Sequence, residues 1–140
     1  MIVKSELLAT TQDYFAVKLL CFRSTGTGYQ WNYYYTIDIN TGKQMKLADL
    51  FIEGADYITP VSDNIIAQMQ AQMLEDTSKM YWLNSDYEEW NFTGISEESS
   101  FYVNADGNVV ICFDEGEVAP MYMGALEFEI DNEVLKDIRK

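Results

Sequence analysis

The 140-residue chain contains no histidine, and that absence removes more chemistry than any other feature of its composition. Without imidazole there is no Ser-His-Asp or Cys-His nucleophile, no histidine-ligated zinc, and no use of the commonest general base near neutral pH. Cysteine occurs only as Cys21 and Cys112, with no CxxC spacing. One bridge is arithmetically open, but a core of this size does not need it, so buried free thiols are the expectation. Basic residues are scarce, nine against 23 acidic ones, for a formal net charge of −14. A field of that sign repels phosphates, which argues against nucleic acid or anionic lipid as a partner. No apolar run approaches the roughly 20 residues of a membrane helix. The start, Met1-Ile2-Val3-Lys4-Ser5-Glu6, also lacks the charged-then-apolar pattern of a signal peptide, so a soluble polypeptide with no membrane span is expected. Gly26-Thr27-Gly28 is followed by neither a helix nor a Walker lysine, so it reads as a turn and not as a phosphate loop.

What the chain does hold is apolar and aromatic: 48% hydrophobic residues, with 10 tyrosines, 7 phenylalanines and 3 tryptophans. That suffices for one continuous core, and residues 1–140 are read as one domain with no internal repeat or linker. The charge is unevenly placed. Between residues 80 and 135 there is no lysine or arginine, while 13 acidic residues fall there. This half would speed encounter with a basic protein in a salt-dependent way, although excess acid also serves plain solubility.

Residues 14–23 and 29–39 alternate as strands, the second with Tyr29, Trp31, Tyr33, Tyr35, Ile37 and Ile39 on one face and Gln30, Asn32, Tyr34, Thr36 and Asp38 on the other. Together they predict a hairpin, ended by the turn residues Asn40-Thr41-Gly42-Lys43. Leu47, Leu50 and Phe51 predict a short helical segment. A long helix follows, with Thr59 as N-cap, Pro60 at the first helical position, and Val61, Ile65, Met69 and Met73 as a core-facing stripe that Ile66 and Leu74 widen. Residues 81–100 lose their period and predict an ordered loop. Asp106-Gly107 between two apolar runs predicts a second hairpin; Leu126, Phe128 and Ile130 predict a further strand, and Val134, Leu135 and Ile138 a short terminal helix. The fold class is α+β: an antiparallel sheet of two hairpins plus a C-terminal strand, packed against one long amphipathic helix and short helices.

Candidate chemistry is thin. Asn104, Asp106, Asn108 and Glu115 fall at positions 1, 3, 5 and 12 of a would-be calcium loop, but Val109 stands where an EF-hand needs glycine and the flanks alternate like strands. No metal ligand set and no cofactor site is assigned. Two carboxylates could in principle hydrolyse a glycoside, but their separation is not written in a sequence. Trp82, Tyr87 and Trp90 among acids could stack on sugar rings, or simply complete an ordered loop.

Several blocks carry a resemblance: Tyr35-Thr36-Ile37-Asp38-Ile39-Asn40-Thr41-Gly42-Lys43, Leu47-Ala48-Asp49-Leu50-Phe51, Phe101-Tyr102-Val103, Gly107-Asn108-Val109-Val110-Ile111-Cys112-Phe113, Glu117-Val118-Ala119-Pro120 and Gly124-Ala125-Leu126-Glu127-Phe128. In order and spacing, over about residues 33–138, they resemble the RsiV-like C-terminal domain family (domain of unknown function 3298). That family occurs in extracytoplasmic anti-sigma factors, PdaC-type deacetylases and surface lipoproteins. The resemblance implies an α+β domain outside the membrane, of a fold grouped with a small subdomain of the Hsp70 ATPase but without its nucleotide motifs, so no ATPase activity follows; with no histidine and no catalytic constellation, a non-enzyme is expected. In the anti-sigma branch the ectodomain is a receptor for lysozyme, so a basic protein such as lysozyme is the implied partner, with a cell-wall glycan as the alternative. Pro120, Met121, Tyr122 and Met123 are the expected partner-binding residues, and Trp82, Tyr87 and Trp90 the glycan-binding ones. The loop departs from the family's usual form, in which an aromatic and two small residues follow the proline, and the chain lacks the family's membrane helix and sigma-binding segment.

Overall fold

A computed structural model describes residues 2–23 and 28–140, and the alternating runs of the sequence form antiparallel strands in it. β1 (Ile2–Thr10), β2 (Tyr14–Arg23) and β3 (Tyr29–Asp38) make one three-stranded sheet; β4 (Phe101–Val103), β5 (Val109–Phe113) and β6 (Leu126–Glu129) make a second. Both expected hairpins pair as read, with Phe15 opposite Ile37 and Cys21 opposite Trp31 in the first, and Phe101 opposite Ile111 in the second. Most of the Gly26-Thr27-Gly28 turn lies outside the described residues. β1 is an addition to the sequence reading. It runs antiparallel to β2 and carries a bulge at Leu8, where Leu7 faces Val17 but Ala9 already faces Ala16.

The long helix α1 spans Ile58–Glu75; Val61, Ile65 and Met69 of its stripe are completely buried and Ile66 and Met73 pack partly buried against the core, but Leu74, near the helix end, points to solvent at 86% exposure. Its start corrects the expected cap. Asp56 Oδ1 accepts from Thr59 N at 3.1 Å, so the cap side chain comes from two residues before the helix, and Thr59 and Pro60 sit inside the first turn. The short helical segment folds as a 3-10 turn over Leu47–Leu50, and α2 (Asn132–Leu135) is capped by Asp131, whose side chain accepts from Glu133 N. In the β4–β5 turn Gly107 takes φ +81°, a left-handed conformation that suits glycine, and its N–H donates to Asn104 O. The chain therefore uses these residues for a hairpin.

The layers follow from the side chains. One face of the second sheet (Phe101, Val103, Val109, Ile111, Phe113 and Phe128) joins Val61, Ile65, Met69, Leu47, Leu50, Phe51 and Leu135 in one apolar core. Its other face meets the first sheet. There Tyr34 stacks on Tyr102 with ring centroids 5.8 Å apart, Val103 N donates to Thr36 Oγ1 at 3.3 Å, and Asn32 N donates to Asp114 Oδ1 at 3.0 Å. An amphipathic strand ordinarily turns its apolar side inward. β3 does the reverse: Asn32 and Thr36 are buried in the seam between the sheets, while Tyr29, Trp31, Tyr33 and Tyr35 lie on the opposite, outward face. The buried core cluster includes no residue of the first sheet. Cys21 and Cys112 are both buried and free.

Candidate functional site

The loop after β5 builds the first half of the site. Pro120, in an extended conformation that its ring favours, launches a 3-10 turn over Met121–Met123, and Gly124 at φ +72° ends it. This geometry divides the three side chains. Met123 turns inward against the core, whereas Met121 and Tyr122 are 56% and 68% exposed. Tyr122 does not swing freely, because its hydroxyl donates to Ser78 O at 2.9 Å, in the segment that follows α1. Met121 folds back over Gly116, where a Cβ would come within 3.1 Å of Met121 Cγ, so any side chain at residue 116 would displace the tip.

The second half comes from residues 81–100, which form an ordered loop as expected. Trp82 N donates to Val118 O at 2.9 Å and Phe92 N to Trp82 O at 2.7 Å, tying the loop to the irregular segment that leads into Pro120. Three aromatic rings then gather. Trp90 packs against Trp82 at 5.2 Å between centroids and stacks on Tyr87 at 4.5 Å, leaving Tyr87 and Trp90 about half exposed. Trp90 thus spends ring surface on both neighbours, and the three do not form one flat platform.

The two halves meet. An open groove is lined by Trp82 and Trp90 from one loop, Gly116 and Met121 from the other, Tyr29 from β3, and the acids Glu89, Glu115 and Glu117. Of the residues singled out in the sequence, Met121, Trp82 and Trp90 share this groove, Tyr87 stands behind Trp90, and Tyr122 and Met123 face a neighbouring depression with Gln72, Lys79 and Tyr81. Tyr29, Glu89 and Glu117 carry no site expectation from the sequence, and Glu115 drew attention there only as a calcium ligand. Tyr29 carried a signal in its strand alternation, but nothing local places it beside Trp90.

Electrostatics set the groove's character. Desolvation pushes the Asp114 carboxyl above its ordinary value despite its hydrogen bond from Asn32 N, and Glu115 adds to the push. Burial likewise raises Glu117, which accepts from Asp114 N at 3.0 Å, with the Asp114 charge contributing. These two acids are therefore engaged in holding the loop. Tyr34, Tyr102 and Cys112, in the seam, are all raised by burial first, and the acidic surroundings reinforce this, so the Cys112 thiol stays protonated and unreactive near neutral pH. Among the described residues no group of three or more Cys, Asp or Glu side chains is placed to hold a metal ion, and no helix is long and apolar enough to cross a membrane.

Comparison with known proteins agrees with this architecture. The anti-sigma-V factor RsiV of Bacillus subtilis strain 168 is 36% identical over 133 residues, spanning 95% of this chain and 46% of that protein. A DUF3298 family protein from Pseudomonas aeruginosa PAO1 superposes with a TM-score of 0.75 over 99% of this chain and 61% of its own, at 17% identity. A second, from Bacteroides fragilis NCTC 9343, gives a TM-score of 0.67 over 99% of this chain and 53% of its own, at 15% identity. The chain thus spans about half the length of these relatives. The family described as protein of unknown function (DUF3298) matches residues 48–133, and the chain belongs to that family.

Proposed function

We propose that the chain is a non-catalytic recognition domain that works outside the cytoplasm as the ligand-sensing part of an anti-sigma-factor-like protein. Its ligand in this reading is a basic protein of the lysozyme kind. One observation carries it: the uncharged tip of Met121 and Tyr122 projects beside a groove of tryptophans and glutamates, within the stretch of residues 80–135 that holds no base. Acidic residues steer a basic partner to the site, and an exposed apolar and aromatic tip supplies the buried contact that slows its departure. The RsiV relationship supports a sensing role; the identity of the ligand is our inference.

Calorimetry against a panel of c-type lysozymes tests the reading. Binding is expected at low salt, weakening as salt rises, and Tyr122→Ala should weaken it by about tenfold or more. No binding to any lysozyme at low salt sinks the ligand; full binding by the variant places the contact elsewhere. The exposed rings of Tyr87 and Trp90 favour a second reading, a cell-wall glycan-binding accessory module. Glycan binding that disappears in Trp90→Ala would establish it, and an array with no glycan bound would remove it.

A further inference from the structure

We propose that the outer edge of β1 pairs antiparallel with β1 of a second copy of the chain, in the register centred on Ser5, joining two first sheets into one of six strands. β1 is the edge of its sheet and pairs only with β2 among the described residues. Its free side therefore presents a row of unpaired backbone N–H and C=O groups, the feature that invites strand addition. Natural edges are usually blunted by shortness, cover or charge. This one is nine residues long and open, with Ile2, Val3 and Leu7 each more than half exposed.

The sequence of β1 selects the partner and the register. A two-fold axis perpendicular to a continuous sheet passes through one residue and its own copy, and it opposes residues of the same face. Centred on Ser5, it sets Lys4 against the second copy's Glu6 twice, and Val3 against the second copy's Leu7 twice. Centred on Lys4 or Glu6, it would instead oppose two lysines or two glutamates. Opposite charges directly across a ladder stabilise and like charges destabilise, so one register stands out. The lysine that would guard an edge is thus offset by an acid two residues away. Within one copy Glu6 already faces Lys18 across β2, so pairing would seat each Glu6 between two lysines. The bulge at Leu8 removes the partner of Ile2 and confines the pairing to residues 3–7.

Whole-chain charge points to the same place. Two copies carrying −14 each repel, but strands β1 to β3 hold Lys4, Lys18 and Arg23 against Glu6 and Asp38, so this sheet can meet its copy without that penalty. Pairing would also extend the outward apolar face, on which Val3 and Leu7 lie beside Val17, Leu19 and Cys21 and next to Trp31, Tyr33 and Tyr35.

Sedimentation equilibrium of the native chain up to hundreds of micromolar, with charge-swapped variants, tests the proposal. The native chain should dimerise. Glu6→Lys should weaken the dimer by at least about tenfold, and combining it with Lys4→Glu should restore it. The double variant keeps the new lysine opposite Lys18, so recovery separates the contact between copies from any effect within one copy. Ser5→Cys should cross-link to its own copy through a short bifunctional thiol reagent, since opposed Cβ atoms lie about 5 Å apart. A native chain that stays monomeric, a double swap that fails to restore the dimer, or a Ser5→Cys chain that does not cross-link would each overturn it.

Discussion

Two residues in the seam between the sheets show how single side chains hold this molecule together. Thr36 is 1% exposed and its hydroxyl accepts from the Val103 amide, so Thr36→Val keeps the volume but strands a buried donor. A loss of about 1–3 kcal/mol is expected in urea unfolding. Asp114 acts in the opposite sense. The folded protein holds its proton more tightly than the unfolded chain does, because desolvation raises the carboxyl, so ionisation is a penalty on the native state. That penalty is absent below the unfolded value near pH 4, grows as pH rises through the raised one, and is constant above it. Asp114→Asn keeps an oxygen for the Asn32 amide and removes the charge. The variant should be more stable than the native chain at pH 7, by a margin that closes as unfolding is measured toward pH 4.

At the scale of elements, legibility followed periodicity. α1 was readable because Val61, Ile65 and Met69 recur every four residues, and that same stripe is completely buried. Ile65→Ala should cost about 2–5 kcal/mol in a denaturant titration, a large share of what a domain of this size has to lose. The cap of α1 was misplaced because Thr59 and Asp56 are both good capping types, and only the chain's path shows which oxygen reaches a free amide. β1 stayed unread for a physical reason. Most of its side chains are exposed, so selection for burial leaves no clear alternation, and the bulge at Leu8 shifts what phase there is. The site was legible only as parts. Trp82, Trp90 and Met121 could be named from the sequence, but their meeting depends on the Trp82 to Val118 backbone bond across 36 positions, which no local pattern encodes.

For the molecule as a whole, the position of the core divides the labour. α1 and the second sheet enclose the apolar cluster and support the acidic groove, whereas the first sheet adheres mainly through Asn32, Thr36 and a tyrosine stack, with Tyr14 packing on the core and Ala16 buried. Contacts of that kind resist rearrangement but contribute less burial than a hydrocarbon interior. Native-state hydrogen exchange should therefore resolve two levels, with amides of β1 to β3 opening at lower free energy than those of α1 and β5. Uniform protection across both sheets would contradict that division. A seam that lets go before the rest unfolds gives the molecule a reversible way to bare the edges of its own strands. A protease able to cut only extended, unpaired backbone would read that opening as access, at a rate set by how often the first sheet peels away and not by how stable the core is.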